Sequence, residues 1–130
     1  MSGVDWPALK AAALAVQARA YVPYSNYHVG AALLTASGEI VTGCNVENAT
    51  YGATCCAERT AVFAAVAAGH RAFRAVAVVT NGAAPGTPCG ICRQVLAEFG
   101  SDMDVLCFTP EGAEARYRLS ELLPHAFKLK

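Results

Sequence analysis

The sequence predicts an α/β fold built on a mixed sheet of about five strands, and two observations carry that reading. Two β-rich runs, 28–34 and 40–45, flank the turn sequence Ala36-Ser37-Gly38-Glu39 and predict an antiparallel hairpin. Helix-like and strand-like segments then alternate over 57–68, 73–80, 89–99 and 104–109, an order that implies right-handed parallel crossovers. Ligands on such a sheet collect beyond the carboxyl ends of the strands, where the helices start.

Taken in order, Asp5 is placed to cap a first helix with Pro7 in its opening turn. Trp6, Leu9, Ala13, Val16 and Ala20 recur at three- and four-residue spacing as one apolar stripe, and Val22-Pro23-Tyr24-Ser25 ends the element. The helix from Ala57 closes near Gly69, a residue suited to a helix C-terminus, and the valine-rich strand Phe73 to Thr80 follows. Asn81 to Thr87 forms a loop that delivers Pro88 to the start of the next helix, which Gly100 stops. Asp104 to Thr109 is a short apolar strand, Thr109-Pro110-Glu111-Gly112 a turn, and Ala115 to Leu119 an edge strand. Ser120 is expected to cap a last short helix interrupted at Pro124.

Bulk properties narrow the function. A chain of 130 residues suggests one domain spanning 1–130. A formal net charge of zero argues against a polynucleotide partner, which needs a concentrated basic surface. Met1 to Asp5 carries no basic, apolar leader, and no apolar run is long enough to span a bilayer, so a soluble cytoplasmic protein without a membrane partner is expected. Six cysteines in such a protein point to metal rather than to a disulfide framework. Charged residues are only 15% of the chain, against about 25% in an average globular domain. So small a chain cannot bury that much apolar surface alone, and association of subunits is the expected outlet.

Chemistry concentrates in Cys56-Ala57-Glu58 and in Pro88-Cys89-Gly90-Ile91-Cys92, each opening a helical run. Helix N-termini lower thiol pKa values, and Cys89 and Cys92, at i and i+3, share a helix face. Three thiolates plus one nearby carboxylate is the inventory of a catalytic zinc site, which keeps a fourth position for water. Cys89 and Cys92 alone would suit a redox dithiol. A purely structural zinc would require Cys55 as a fourth ligand, although adjacent helical residues point about 100° apart. Cys44 and Cys107 read as core thiols, and His28, His70 and His125, isolated from the cluster, as ordinary surface or satisfied histidines.

Cys56-Ala57-Glu58 together with Pro88-Cys89-Gly90-Ile91-Cys92-Arg93-Gln94 resembles the small, homotetrameric class of cytidine deaminases. Pro23 to Leu33, Gly43 to Ala49 and Glu121 to Phe127 extend the resemblance over nearly the whole chain. It implies a three-layer α/β/α sandwich and a homotetramer whose active sites are shared between subunits. It also implies hydrolytic deamination of cytidine and deoxycytidine to uridine and deoxyuridine, with release of ammonia. One zinc per chain is expected on Cys56, Cys89 and Cys92, with Glu58 moving the protons. The resemblance further assigns Asn45 and Glu47 to the ribose hydroxyls, Tyr27 to the face of the nucleoside, the backbone at Ala57 to the pyrimidine edge, and Tyr51 and Phe127 to a site shared with neighbours. The family usually has phenylalanine at the position of Tyr27 and a small residue at that of Ile91. Arg59 and Arg93 are candidates to donate hydrogen bonds to ligand sulfurs and offset the negative charge that three thiolates leave on zinc. The other readings are a deaminase of a cytosine-nucleoside antibiotic, a non-catalytic zinc module and a thiol redox protein.

Overall fold

A computed structural model describes residues 3–129; Met1 and Ser2, part of the stretch read for a leader, and Lys130 lie outside them. Helix α1 is Trp6–Gln17, strand β1 Val29–Thr35, strand β2 Ile40–Cys44, helix α2 Ala57–Ala67, and strand β3 Phe73–Thr80. Helix α3 is Gly90–Ala97, strand β4 Asp104–Phe108, strand β5 Glu114–Arg118, and helix α4 Leu119–Leu122, with one 3₁₀ turn at Tyr51–Ala53.

The five strands form one sheet in the order β2-β1-β3-β4-β5. β1 runs antiparallel to both β2 and β3, β3 pairs parallel with β4, and β5 closes the far edge antiparallel to β4. β2 and β3 therefore run parallel with β1 between them, so both helical connections, α2 and α3, join parallel strands as the alternation predicts.

Burial follows from this layering. On one face Leu9 and Ala13 of α1 pack on Ala32, Leu34, Ala77, Val79 and Phe108. On the other, Val62 and Ala65 of α2 and Leu96 of α3 pack on Leu33, Val76, Val78 and Val105. β1, covered on both faces, is buried at every residue, whereas edge strand β5 alternates exposed and half-buried.

Local signals place most boundaries. Asp5 caps α1 by accepting from the Ala8 amide at 3.1 Å. Gly69, at φ +102°, ends α2: its amide reaches the Val66 carbonyl at 3.0 Å and that of His70 reaches Ala65 at 2.9 Å, closing the last turn. α3 is Gly90–Ala97, short of the expected Phe99, and two other boundaries also differ from expectation. α1 stops at Gln17, so Ala20 lies beyond the helix, because Tyr21 is drawn into a bridge with Val46. α4 begins at Leu119 with Arg118 rather than Ser120 before it. Leu119 is fully buried with its amide on the Met103 carbonyl at 2.9 Å, and Glu121 reaches back to the Arg118 amide at 2.7 Å, which fixes the earlier start.

Two glycines let the helices approach the sheet. A Cβ on Gly43 of β2 would lie 2.4 Å from the Ala61 amide nitrogen and 2.7 Å from the Ala57 carbonyl oxygen. A Cβ on Gly30 of β1 would lie 2.2 Å from the Ala13 carbonyl oxygen of α1. Both distances are backbone clashes, so each alanine variant is expected to lose about 1–3 kcal/mol or more in urea denaturation. Gly43→Ala pushes on the first turn of α2 and should also weaken metal retention against a chelator, while Gly30→Ala, acting on the opposite face, should not.

Candidate metal centre

Cys56 and Cys89 occupy the same structural position, the residue immediately before the first turn of α2 and of α3. Neither side chain makes a capping hydrogen bond, so the sulfurs are free to point into the space where the two helices begin. Cys92, in the first turn of α3 and buried, completes a trio whose sulfurs all lie within 4.8 Å of one another. The Cys56–Cys89 and Cys89–Cys92 separations are 3.7 and 3.5 Å. Sulfurs arranged tetrahedrally at the usual Zn–S distance of ~2.3 Å stand about 3.8 Å apart, so zinc fits this donor set. Because Cys56 closes on the Cys89–Cys92 pair, the site is a thiol trio and not an isolated dithiol. Cys55 is outside it: its main chain pairs in both directions with that of Val46, at 2.9 and 3.0 Å.

The electrostatics of the metal-free site separate the groups. The Cys56 thiol is pushed down to about 5, first by hydrogen bonding from Cys92 and also by the Arg59 guanidinium, whose Nη2 donates to its sulfur at 3.4 Å. Cys92, the donor of that pair and well buried, is pushed up. Glu58 lies in the first turn of α2 at 5% exposure, and burial raises its carboxyl from 4.5 to about 7, with the negative charge of Cys56 adding to the rise. A buried carboxyl that titrates near neutrality beside three convergent sulfurs is equipped to take and return a proton.

A cavity of about 160 Å³ opens at this point, lined by Cys56, Ala57, Glu58 and Cys89 together with Tyr27, Val29, Asn45, Val78, Thr80, Gly86 and Thr87. Asn45 is buried and stitches the wall, its Oδ1 accepting from the Val29 amide at 2.9 Å and its Nδ2 donating to the Tyr27 carbonyl at 2.7 Å. The Tyr27 hydroxyl has room because residue 86 is glycine: a Cβ there would stand 2.9 Å from it. Val29, Val78 and Thr80 were not singled out by motif, yet Val29 pairs with Thr80, and Val78 lies two residues before it on the same face of β3. Their signal in the sequence is position alone, at strand ends next to helix starts.

Other expected residues lie elsewhere. Arg93 donates through Nε to the Pro88 carbonyl at 2.8 Å, through Nη1 to the Leu122 carbonyl at 2.9 Å, and through Nη2 to the Thr87 hydroxyl at 3.1 Å. It ties the loop before Cys89 to α4, and Arg59 is the arginine on a ligand sulfur. Glu47 is not among the cavity-lining residues; its carboxylate accepts from the Ser25 hydroxyl and from the Tyr24 and Ser25 amides at 3.0 and 3.1 Å, and these bonds lower its pKa. Tyr51 is 79% exposed and meets Tyr24 edge-on with ring centroids 6.4 Å apart. The Phe127 ring is also exposed, while its main chain pairs with the Gln94 side chain at 3.0 and 3.3 Å. Tyr51 and Phe127 thus border the surface of this chain and not its own cavity.

Comparison with known proteins places this geometry. The model of the cytidine and deoxycytidylate deaminase zinc-binding region matches residues 7–109. The chain belongs to this deaminase family. It is similar to the cytidine deaminase of Sporosarcina psychrophila, 51% identical over 84% of this chain and 81% of the relative. It is also similar to that of Mycobacterium tuberculosis, 46% identical over 99% of this chain and 94% of the relative. The crystal structure of the cytidine deaminase from Burkholderia pseudomallei superposes with a TM-score of 0.91 at 48% identity, covering 95% of this chain and all of that one. Among the described residues the Cys56, Cys89 and Cys92 trio is the only group of three metal-ligating side chains close enough together to hold the zinc that this family's region binds.

The raised Glu58 carboxyl makes stability depend on pH in a definite direction. A folded-state pKa of about 7 against an unfolded value of 4.5 gives a contribution fully present below pH 4.5 and lost as pH rises through 7. In chelator-stripped protein, Glu58→Gln is therefore expected to be more stable than wild type above pH 7, with the difference closing toward pH 4.5. Urea titrations at several pH values measure this, and a pH-independent difference would mean that the carboxylate is not desolvated.

Proposed function

We propose that this protein, as one domain over residues 1–130, hydrolyses cytidine and deoxycytidine to uridine and deoxyuridine with release of ammonia. The observation that carries the reading is Glu58, buried in the cavity wall beside the three cysteines and titrating near neutrality. Cys56, Cys89 and Cys92 would hold zinc, which would supply a water of lowered pKa as the nucleophile for C4. Glu58 would take one proton of that water and pass it to the ring nitrogen N3 as the oxygen bonds to C4. It would then take the second proton, from the oxygen now on C4, and deliver it to the amine as the C4–N bond breaks, leaving the C4 carbonyl and ammonia. Val29 and Val78 give the ring apolar walls, Tyr27 an aromatic face, and the start of α2 at Ala57 a backbone amide for the pyrimidine edge.

The test is direct. Purified zinc-loaded protein should convert the ultraviolet spectrum of cytidine to that of uridine. Glu58→Gln should lose at least ~10²–10⁴-fold in turnover while keeping its zinc. Near-normal turnover in that variant with metal confirmed would remove Glu58 from the role.

We further infer a homotetramer in which neighbours complete each site. A cavity of about 160 Å³ is smaller than the ~300–1,000 Å³ typical of sites that bury a whole small-molecule ligand. Two aromatics, Tyr51 and Phe127, stand exposed, together with Phe63 and Ile91 on the outer faces of α2 and α3. Supplied by neighbours, Tyr51 and Phe127 would close the cavity, while Asn45 and Glu47 engage the ribose hydroxyls. Six free cysteines, three of them needed as thiolates, suit the reducing cytoplasm, and no helix among the described residues is long and apolar enough to cross a membrane. Removing residues 127–130 should leave the fold intact and raise the KM for cytidine, because terminal residues add little to a subunit's own core. An unchanged KM would contradict the shared site, and a monomer in sedimentation would contradict the tetramer.

A further inference from the structure

Thr80 is the last residue of β3 and is 3% exposed. Its hydroxyl oxygen is buried with no hydrogen-bond partner. It shares a face of the sheet with Val29 and Val78, and all three line the cavity that also holds Cys56, Glu58 and Cys89. The glycine opposite leaves space beside the Thr80 side chain: a Cβ on Gly86 would stand 3.3 Å from the Thr80 methyl, 3.7 Å from its hydroxyl and 2.9 Å from that of Tyr27. A hydroxyl buried without a partner costs stability, and valine would fill the same volume among the surrounding valines at no such cost. The cost is recovered only when something in the cavity pairs with the group.

We propose that Thr80 is a substrate-binding residue, its hydroxyl forming a hydrogen bond with the pyrimidine nucleoside held in the cavity. This adds a polar contact to those on Glu58, Asn45 and the backbone at Ala57, and it comes from the floor of the sheet instead of from a helix start or a loop. The inference rests on the deaminase reading, and the two fail in different ways.

Thr80→Val and Thr80→Ser test it, with zinc content, melting temperature, kcat and KM for cytidine, and calorimetric binding of uridine measured for each. Thr80→Val is expected to raise KM and the uridine Kd roughly three- to tenfold, the size of one hydrogen bond to a neutral group. kcat should stay within about twofold, zinc should stay bound, and the melting temperature should be unchanged or higher. Thr80→Ser, which keeps the hydroxyl, should restore most of the affinity. The proposal is overturned if Thr80→Val binds both nucleosides as wild type does, or if its melting temperature falls while serine restores it, since the hydroxyl would then serve the fold. Wild-type protein that leaves cytidine unchanged would instead overturn the functional reading itself.

Discussion

α2 and α3 begin at one point in space, and the first residue of each start is a cysteine whose side chain declines to cap its own helix. Serine, threonine or aspartate in those positions would satisfy a free amide and contribute about 1 kcal/mol to each helix. Cysteine forgoes that contribution and leaves the positive helix ends directed at the sulfurs, where they favour the thiolate. The rest of the chain fixes where those starts lie. Gly43 allows α2 to touch β2 backbone to backbone, and Arg93 holds the loop entering α3 through Thr87 and Pro88. Metal ligands on two different helices can meet only if both helices are held to a fraction of an ångström, and close packing supplies that rigidity.

The chemistry was legible where it is local in sequence. Cys56, Glu58, Cys89 and Cys92 sit in short motifs whose spacing states which side of a helix each occupies, and the structure brings them together. Strand β3 appears over the predicted residues because its valines have no other use, and α2 ends at the glycine that was read as its stop. Misreadings arose where a distant partner decides the outcome. The bridge between Tyr21 and Val46 shortens α1, and burial of Leu119 moves the start of α4. Val29, Val78, Thr80 and Gly86 belong to the site through strand register and loop path, which no single stretch encodes. Tyr27 was read as a departure from the usual phenylalanine, and Gly86, 59 residues further along the chain, is what makes room for it.

The site is built from groups that destabilise the chain. Glu58 is a desolvated carboxyl, Thr80 a buried hydroxyl without a partner, and Arg59 carries a buried Nε that finds none either. Each costs stability in the unliganded fold and is suited to a role that needs it unsatisfied. They cluster on the α2 and α3 side of the sheet, next to its most secure part: β1 is buried at all seven residues, and β3 at seven of its eight. The α1 layer, behind that sheet, is plain hydrocarbon packing with Leu9, Ala32, Val79 and Phe108.

Charge decides between the two arginines. Three thiolates around a divalent ion leave one negative charge, and a buried carboxylate at Glu58 would add another, in a place where burial already disfavours ionisation. A cation must therefore stand close to the sulfurs without entering the cavity. Arg93 follows Cys92 directly in sequence, but adjacent residues diverge around a helix, and its guanidinium turns outward to three oxygens of Pro88, Leu122 and Thr87. Arg59 lies three residues after Cys56, one turn along the same face, and its Nη2 reaches that sulfur at 3.4 Å. The sulfur in turn raises the guanidinium's own proton affinity, so Arg59 stays charged over the whole range in which protein carboxyls and thiols titrate. Arg59 is thus placed to draw negative charge from a metal held on Cys56, which would keep a bound water ionisable, without itself lining the cavity.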